Sequence, residues 1–465
     1  MIVLCWFLRH NSYNGFRLEE LEALASLEGV TSASLWSGCQ RPDSHSENQF
    51  VFVNVPDEAV CHALMKRSLL IKAFIEVWAE GETYEAVLQE LQGRRMPDFR
   101  KWVNADRTWA FKVGAFGKCL SSDEQRRKMT FFASLFKGNE KVDLENPATT
   151  LVVAEEWTHT EQLQAPRRIF FGRQICGKTK EHPFWWKYRL PVRPVLGPTS
   201  LDCELAFLMC NQGLVGPDHV VLDPFVGTGS VLIAAAHYGA FCVGSDIDIR
   251  VLKGYGVSYM NPHLSLENKK TDIFRNFDEY GLCRPEIIRC DNAAWVWRLP
   301  YEERAFSKLD ELPQLPQQGD SEDPGAVRPA YLTRNLRGGK PWVDCIMTDP
   351  PYGIRAGARQ SGHLKKYKRN EHTRSNEDRL TYIPPTVVYS SRALVSDLLN
   401  LSSRLLVDGG RLVFLLPVEL STAKEDIGSL SHQDLELVST SLQEVSGGMG
   451  RVLVTMSRKA RCSAA

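Results

Sequence analysis

Four consecutive residues, Asp349-Pro350-Pro351-Tyr352, close the apolar run 343–348, which reads as a strand. Two prolines fix φ and cannot continue a central strand. They stiffen the backbone where the strand ends and leave the Pro350 carbonyl unclaimed by the sheet. A carboxylate, a rigid carbonyl and an aromatic ring in that order form a receptor for an exocyclic amine on a nucleobase. Asp349 and the Pro350 carbonyl accept its two N–H bonds, while Tyr352 stacks on the ring. A Pro-Pro pair also serves as a plain turn, so the chemical reading needs a second feature in the same domain.

That feature lies upstream. The apolar stretch 219–222 runs into Asp223-Pro224-Phe225-Val226-Gly227-Thr228-Gly229-Ser230 and then a helical pattern. Glycines at a strand-to-helix turn let a ligand approach the backbone, at the crevice where open α/β sheets bind ligands. Alone, the pair of glycines is an ordinary βα turn. The next strand, however, ends at Asp246, 19 residues past Gly227, where a carboxylate is placed to bind two ribose hydroxyls. Asp291, after a further strand over 286–290, could face an adenine. The third glycine of the dinucleotide fingerprint is missing, and Asp223 would repel a pyrophosphate. A cationic or zwitterionic nucleoside suits it better, and S-adenosylmethionine has that character. The candidate cofactor set is Thr199, Asp223, Phe225, Gly227, Gly229, Asp246, Ile247, Asp291 and Asn292; no residue set suggests a metal.

These positions demand strands that end together. Near-continuous apolar strands at 219–222, 240–245, 343–348 and 411–416 alternate with helices at 200–211 and 229–238. This is the pattern of a doubly wound α/β domain over 199–458 with a parallel sheet covered on both faces. The preceding 180 residues mix strands (51–55, 108–113, 149–155) with helices (82–91, 124–136), an α+β pattern. The Pro- and aromatic-rich stretch up to residue 198 reads as a connector. Residues 301–342 hold five prolines and four glycines, a composition unsuited to a packed core, and read as a mobile insertion.

The 465 residues exceed what one core usually serves, and the hydrophobic and charged fractions exclude a largely disordered or fibrous chain. Lys+Arg and Asp+Glu both number 56, so nucleic acid would be met through local patches and not a whole-molecule field. One patch is 361–376, with Lys365, Lys366, Lys368 and Arg369 at its centre. The other is 111–141, with Lys112, Arg126, Arg127 and Lys128. Either could equally be a solvated face. The twelve cysteines show no C-x-x-C spacing and read as reduced thiols of an intracellular protein. No membrane span is expected, because glycines break the uncharged run 224–245.

With these motifs in hand, the chain resembles the amino-methyltransferases that carry a D/N-P-P-Y motif, and the cofactor loop precedes that motif as in their RNA-directed members. Residues 141–147 (Lys-Val-Asp-Leu-Glu-Asn-Pro) are similar to the THUMP domain of RNA-modifying enzymes. Residues 196–205 (Leu-Gly-Pro-Thr-Ser-Leu-Asp-Cys-Glu-Leu) resemble the entry to the catalytic domain in eukaryotic tRNA guanosine-10 N2-methyltransferase catalytic subunits. The resemblance covers nearly the whole chain. It implies a ferredoxin-like region over 1–85, a THUMP-like RNA-binding domain over 86–180, a linker over 181–198 and a Rossmann-like class I methyltransferase domain over 199–458. It also implies tRNA as substrate and a small zinc-binding activator subunit as heterodimer partner; the expected location is the cytoplasm, with the nucleus as the alternative. The alternatives that remain open are an adenine N6-methyltransferase acting on DNA or RNA, and a non-catalytic RNA-binding adaptor. Protein-glutamine methyltransferases carry Asn-Pro-Pro-Tyr, and here position 349 is Asp.

Overall fold

The computed structural model describes residues 1–43, 49–157, 165–179, 181–254, 259–262, 264, 271–294, 297, 340–352, 359–361, 386–445 and 447–461. Two compact units divide at 182/183. Among the described residues no helix is long and apolar enough to cross a membrane.

The first unit is built on one seven-stranded sheet. Its strands are β1 (Ile2–Phe7), β2 (Phe50–Asn54), β3 (Ile71–Gly81), β4 (Thr108–Phe116), β5 (Lys141–Val142), β6 (Thr149–Glu156) and β7 (Arg168–Gly177). They lie in the order β2-β1-β3-β7-β6-β4-β5. The period of two sorts β1: Val3, Cys5 and Phe7 join the core that holds Leu21, Leu24 and Leu64 of the helices Arg17–Leu27 and Glu58–Arg67. Leu4 and Trp6 pack on the opposite face with Phe50, Ile75 and Phe170. A Cβ on Gly114 of β4 would stand 2.5 Å from the Trp6 ring, although three strands separate β1 from β4. The sheet therefore curls, and glycine is the residue that lets the indole close the curl. The boundary near residue 85 separates two helix-side cores but not the sheet. β7 pairs along β3 and lends Ile175 and Cys176 to the first core.

The second unit carries the sheet that matters for chemistry. In chain order its strands are β8 (Val195–Leu196), β9 (Val220–Asp223), β10 (Phe241–Asp246), β11 (Tyr259–Met260), β12 (Glu286–Arg289), β13 (Val343–Thr348), β14 (Arg359–Ser361), β15 (Thr386–Val388), β16 (Leu406–Glu419), β17 (Leu435–Glu444) and β18 (Met449–Arg458). Seven of them form the order β12-β10-β9-β13-β16-β18-β17, with β12 to β16 parallel and β18 antiparallel. The chain steps outward from β9 to β12 and then returns to the other side of β9 with β13. That reversal places the crevice of an open α/β sheet between β9 and β13. Val221, Leu222, Cys345, Ile346, Met347 and Phe414 are fully buried, as the continuous apolar runs require.

Two segments differ from expectation. The connector up to residue 198 is folded into the second unit: it makes two 3-10 turns, Phe184–Tyr188 and Leu190–Val192, and β8 pairs with β11. Its prolines limit it to short turns, while its aromatics pack on Phe207 and His237. Arg193, 1% exposed, bonds Ser230 Oγ at 2.8 Å and the carbonyls of Tyr188 and Leu201. The helix read over 200–211 spans Cys203–Gln212 and is buried almost all round, as an amphipathic surface helix would not be. Its polar end is absorbed on the sheet, where the Gln212 amide donates to Ser441 Oγ and its oxygen accepts from Thr455 Oγ1.

Residues 301–339 of the expected insertion lie outside the described residues. The rings that flank it, Trp297 and Trp342, stand 6.3 Å apart and pack on one core.

Candidate active site

The strand ends assemble the acidic groups. Gly244 pairs with Asp223 and Asp246 with Arg289 in the parallel ladders, so Asp223, Asp246 and Asp291 follow one another along the carboxyl edge. Asp223 is 2% exposed. Its Oδ1 accepts from the Phe225 amide at 3.0 Å and from Thr348 Oγ1 at 2.7 Å. Among the described residues it has no cationic partner. Burial raises its carboxyl to about 7, with Asp246 and Asp349 pushing the same way against the two donors. A buried carboxylate without a cation is chemically suited to a cationic ligand.

Asp246 is half-buried, and burial raises its carboxyl as well. One oxygen accepts from the Gly227 amide at 3.1 Å and the other from the Asp248 amide at 2.8 Å. Each oxygen keeps lone-pair capacity, which is what a ribose diol needs. Gly227 (φ +51°) and Gly229 (φ +81°) are both left-handed, as the turn into the helix Ser230–His237 requires. A Cβ on Gly227 would project into open space, its nearest neighbour 4.0 Å away. The loop is thus a bare cradle, and nucleoside methyl donors of the S-adenosylmethionine type fit its donor set.

Other candidates are placed differently. Thr199 is exposed in the turn beside Ser200, whose hydroxyl bonds Thr228 Oγ1 of the loop at 3.2 Å. Ile247 is half-buried, and its carbonyl accepts from Arg289 at 3.5 Å. Asp291 caps the turn Asn292–Ala294 by accepting from Ala293 N at 3.0 Å. The Asn292 side chain is spent within the protein. Its amide donates to the Pro224 carbonyl and to Ser245 Oγ, and its oxygen accepts from Trp297 Nε1 at 2.9 Å. It laces the ends of β9, β10 and β12 together, which leaves its backbone as the part able to face a ligand.

The catalytic motif follows β13 directly. Thr348, the last strand residue, is the direct bond between that motif and the cofactor loop. Asp349 is half-buried and Pro350 buried. The Pro350 carbonyl lies past the sheet but is used within the motif: it accepts the Tyr352 amide at 3.0 Å in a tight i to i+2 turn. The second lone pair of that oxygen stays available. Phe225 and Tyr352 meet in one apolar cluster around Tyr389 and Leu394. Burial, then the Asp349 charge, keeps the Tyr352 phenol far above its ordinary range, so it stays neutral. Thr348, Ser245 and Tyr389 carried no signal in the sequence; their roles come from parallel neighbours distant in the chain.

Of the RNA-contact candidates, Lys365, Lys366, Lys368 and Arg369 lie outside the described residues. Lys112, Arg126 and Arg127 are exposed, with Arg126 3.7 Å from Asp123. Lys128 is committed elsewhere: it ion-pairs with the fully buried Glu155, which also holds Tyr84 at 2.5 Å and Trp157 Nε1 at 2.9 Å. Arg173 likewise pairs with Glu58 and Glu76 over the Trp102 ring. Lys128→Ala would strand a buried carboxylate and is expected to destabilise the first unit by about 3 kcal/mol in denaturant titration. Arg127→Ala should leave stability unchanged while lowering the salt dependence of RNA affinity; the opposite pattern would reverse these roles.

Comparison with known proteins places both units. Residues 5–180 match the Tmrp11 THUMP N-terminal domain family, and residues 191–269 match the RMKL-like methyltransferase domain family. The chain is 30% identical to the human tRNA (guanine(10)-N(2))-methyltransferase TRMT11 over 446 residues, covering 95% of this chain and 85% of the human protein. The protein of the same name from Dictyostelium discoideum is 29% identical over 467 residues, covering 96% of this chain and 80% of that protein. Among solved structures, TrmN from Thermus thermophilus aligns over 98% of this chain and all of that one, at 16% identity and a TM-score of 0.40.

Proposed function

The chain belongs to the family of tRNA (guanine(10)-N2)-methyltransferases, and from that membership we propose that it methylates the exocyclic N2 amine of guanosine 10 in tRNA, using S-adenosylmethionine. The observation that carries this reading is the Thr348–Asp223 hydrogen bond. It joins an amine-receptor turn to a cofactor cradle at the switch point of one sheet.

Bound S-adenosylmethionine supplies an electrophilic methyl group on a sulfonium. Asp223 faces its cationic methionine end, Asp246 the ribose, and Asp291 with the Asn292 backbone the adenine, while Thr199, Phe225, Gly227, Gly229 and Ile247 shape the cradle. A guanine amine is a poor nucleophile, since its lone pair is delocalised into the ring. Asp349 and the free lone pair of the Pro350 carbonyl accept the two amine N–H bonds and turn that lone pair outward, alignment that can supply several kcal/mol. Asp349 stabilises the positive charge that grows on nitrogen and then takes the proton. Tyr352, held on the Pro350-Pro351 turn, stacks on the base. Lys112, Arg126, Arg127 and the basic run of Lys365, Lys366, Lys368 and Arg369 contact RNA phosphates. The chain works as the catalytic subunit of a heterodimer in the cytoplasm, with a separate zinc-binding activator subunit.

The test is transfer of labelled methyl to unmodified tRNA transcripts, with and without the activator, followed by digestion to nucleosides. N2-methylguanosine supports the reading; label in another nucleoside, or none with any RNA, overturns it.

Asp223 adds a pH dependence. A cation beside it favours its carboxylate, so binding below about pH 7 expels a proton. Cofactor affinity should rise as pH passes up through about 7 and then level off. In the free protein the folded value lies above the unfolded one, so the same group lowers stability as pH rises from about 4 to about 7. Calorimetric titration in buffers of different ionisation enthalpy reads the released proton; a flat affinity between pH 6 and 8 excludes it.

A further inference from the structure

Tyr352 has no anchor of its own. Its ring is half-buried and its hydroxyl, though shielded from solvent, finds no hydrogen-bond partner among the described residues. The ring is therefore placed by what packs on it, and the buried centre it packs against is Tyr389 with Leu394. Tyr389 is 4% exposed and with Leu394 forms the centre on which Tyr352, Phe225 and Ala293 converge. The pairing of β14 with β15, Arg359 opposite Val388, brings Tyr389 back beside a motif 37 positions earlier. Ser391 reinforces the contact by donating to the Tyr352 carbonyl at 3.3 Å.

Packing alone would be met by phenylalanine. The hydroxyl does something else: it donates to Asp397 Oδ2 at 2.6 Å, inside the protein. Asp397 is 8% exposed and stands on the helix Ser391–Leu405, whose N-terminus Ser390 caps. A short bond to a carboxylate is directional and strong, so it fixes the pitch of the Tyr389 ring against a rigid helix.

We infer that Tyr389, oriented by Asp397, is a positioning residue for methyl transfer: a single buried ring sets the base-stacking face of Tyr352 against the cofactor loop at Phe225. This rests on the reading of Tyr352 and of residues 223–229 given above. A ring free to pitch would leave cofactor and tRNA bound but misaligned, and sub-ångström to ångström displacements cost ten- to about a hundredfold in turnover.

The experiment compares Tyr389→Phe, Asp397→Asn and Asp397→Ala with the wild-type chain, with its activator, on tRNA. Calorimetry gives the S-adenosylmethionine Kd and the number of competent sites, and kcat is expressed per such site. Tyr389→Phe and Asp397→Ala should lose at least about tenfold in kcat, while KM for tRNA and the cofactor Kd stay within about threefold. Asp397→Asn, whose amide oxygen still accepts the phenol, should recover most of the turnover. A purely structural role would lower Tm and the number of competent sites with kcat per site intact, and that result overturns the inference. If Tyr389→Phe does not fold, the Asp397 pair decides: equal kcat for Asn and Ala refutes it. Failure of the wild-type chain to methylate tRNA, or full activity in Asp349→Ala, would count against the underlying reading instead.

Discussion

Asp349→Ala is expected to cut methyl transfer by about a thousandfold, equivalent to about 4 kcal/mol of transition-state stabilisation, while the S-adenosylmethionine Kd moves by less than about threefold. The asymmetry follows from position. Asp349 lies beyond the end of β13, next to Thr348, whereas the bonds that hold the loop at Phe225, Gly227 and Thr348 are made by Asp223 and Asp246. Its removal deletes one acceptor for the amine, the charge that answers the growing cation, and the proton acceptor. Asp349→Asn keeps an acceptor oxygen for the amine but removes the charge and the proton acceptor, and should still lose most of the turnover. Single-turnover methylation with saturating cofactor is the measurement. Transfer within tenfold of wild type would remove Asp349 from the chemistry.

The second large effect concerns Asp246. Asp246→Asn should weaken S-adenosylmethionine binding about a hundredfold, because two kinds of bond fail together. Both carboxylate oxygens already accept backbone amides, from Gly227 and Asp248, so an amide side chain must turn its NH2 toward one of those N–H groups. The loop then loses its tie to β10 and the ribose loses a charged acceptor, each worth about 1.5–3 kcal/mol. The turnover of whatever complex does form should be much less affected. A Kd unchanged by Asp246→Asn would show that the ribose is held elsewhere.

The placement of the acidic residues at strand ends was readable because its signal is local: each follows an apolar run that reads as a strand. The Thr348 hydroxyl was invisible because its partner is 125 residues away in sequence and next door only through the β9–β13 pairing. The bond from the Asn292 side chain to the Pro224 carbonyl was invisible for the same reason, since adjacency to Asp291 says nothing about a residue 68 positions back. Lys128 looked like its neighbours Arg126 and Arg127, yet one helical step turns it inward onto Glu155. The 183–198 stretch read as a spacer from its prolines, which do break helices, but its aromatic and arginine side chains had a surface to bury against. Periodicity finds elements; it does not find the partner across a sheet.

The touching indoles of Trp297 and Trp342 have a consequence for how this protein can be altered. Both ends of a stretch of more than forty residues are fastened side by side on one core, so those ends are held together whatever the length of chain that joins them. Loop-closure entropy grows only with the logarithm of length, and such a seam tolerates additions, deletions and replacements that the strands on either side would not. It is the natural place to splice in a reporter or an affinity handle.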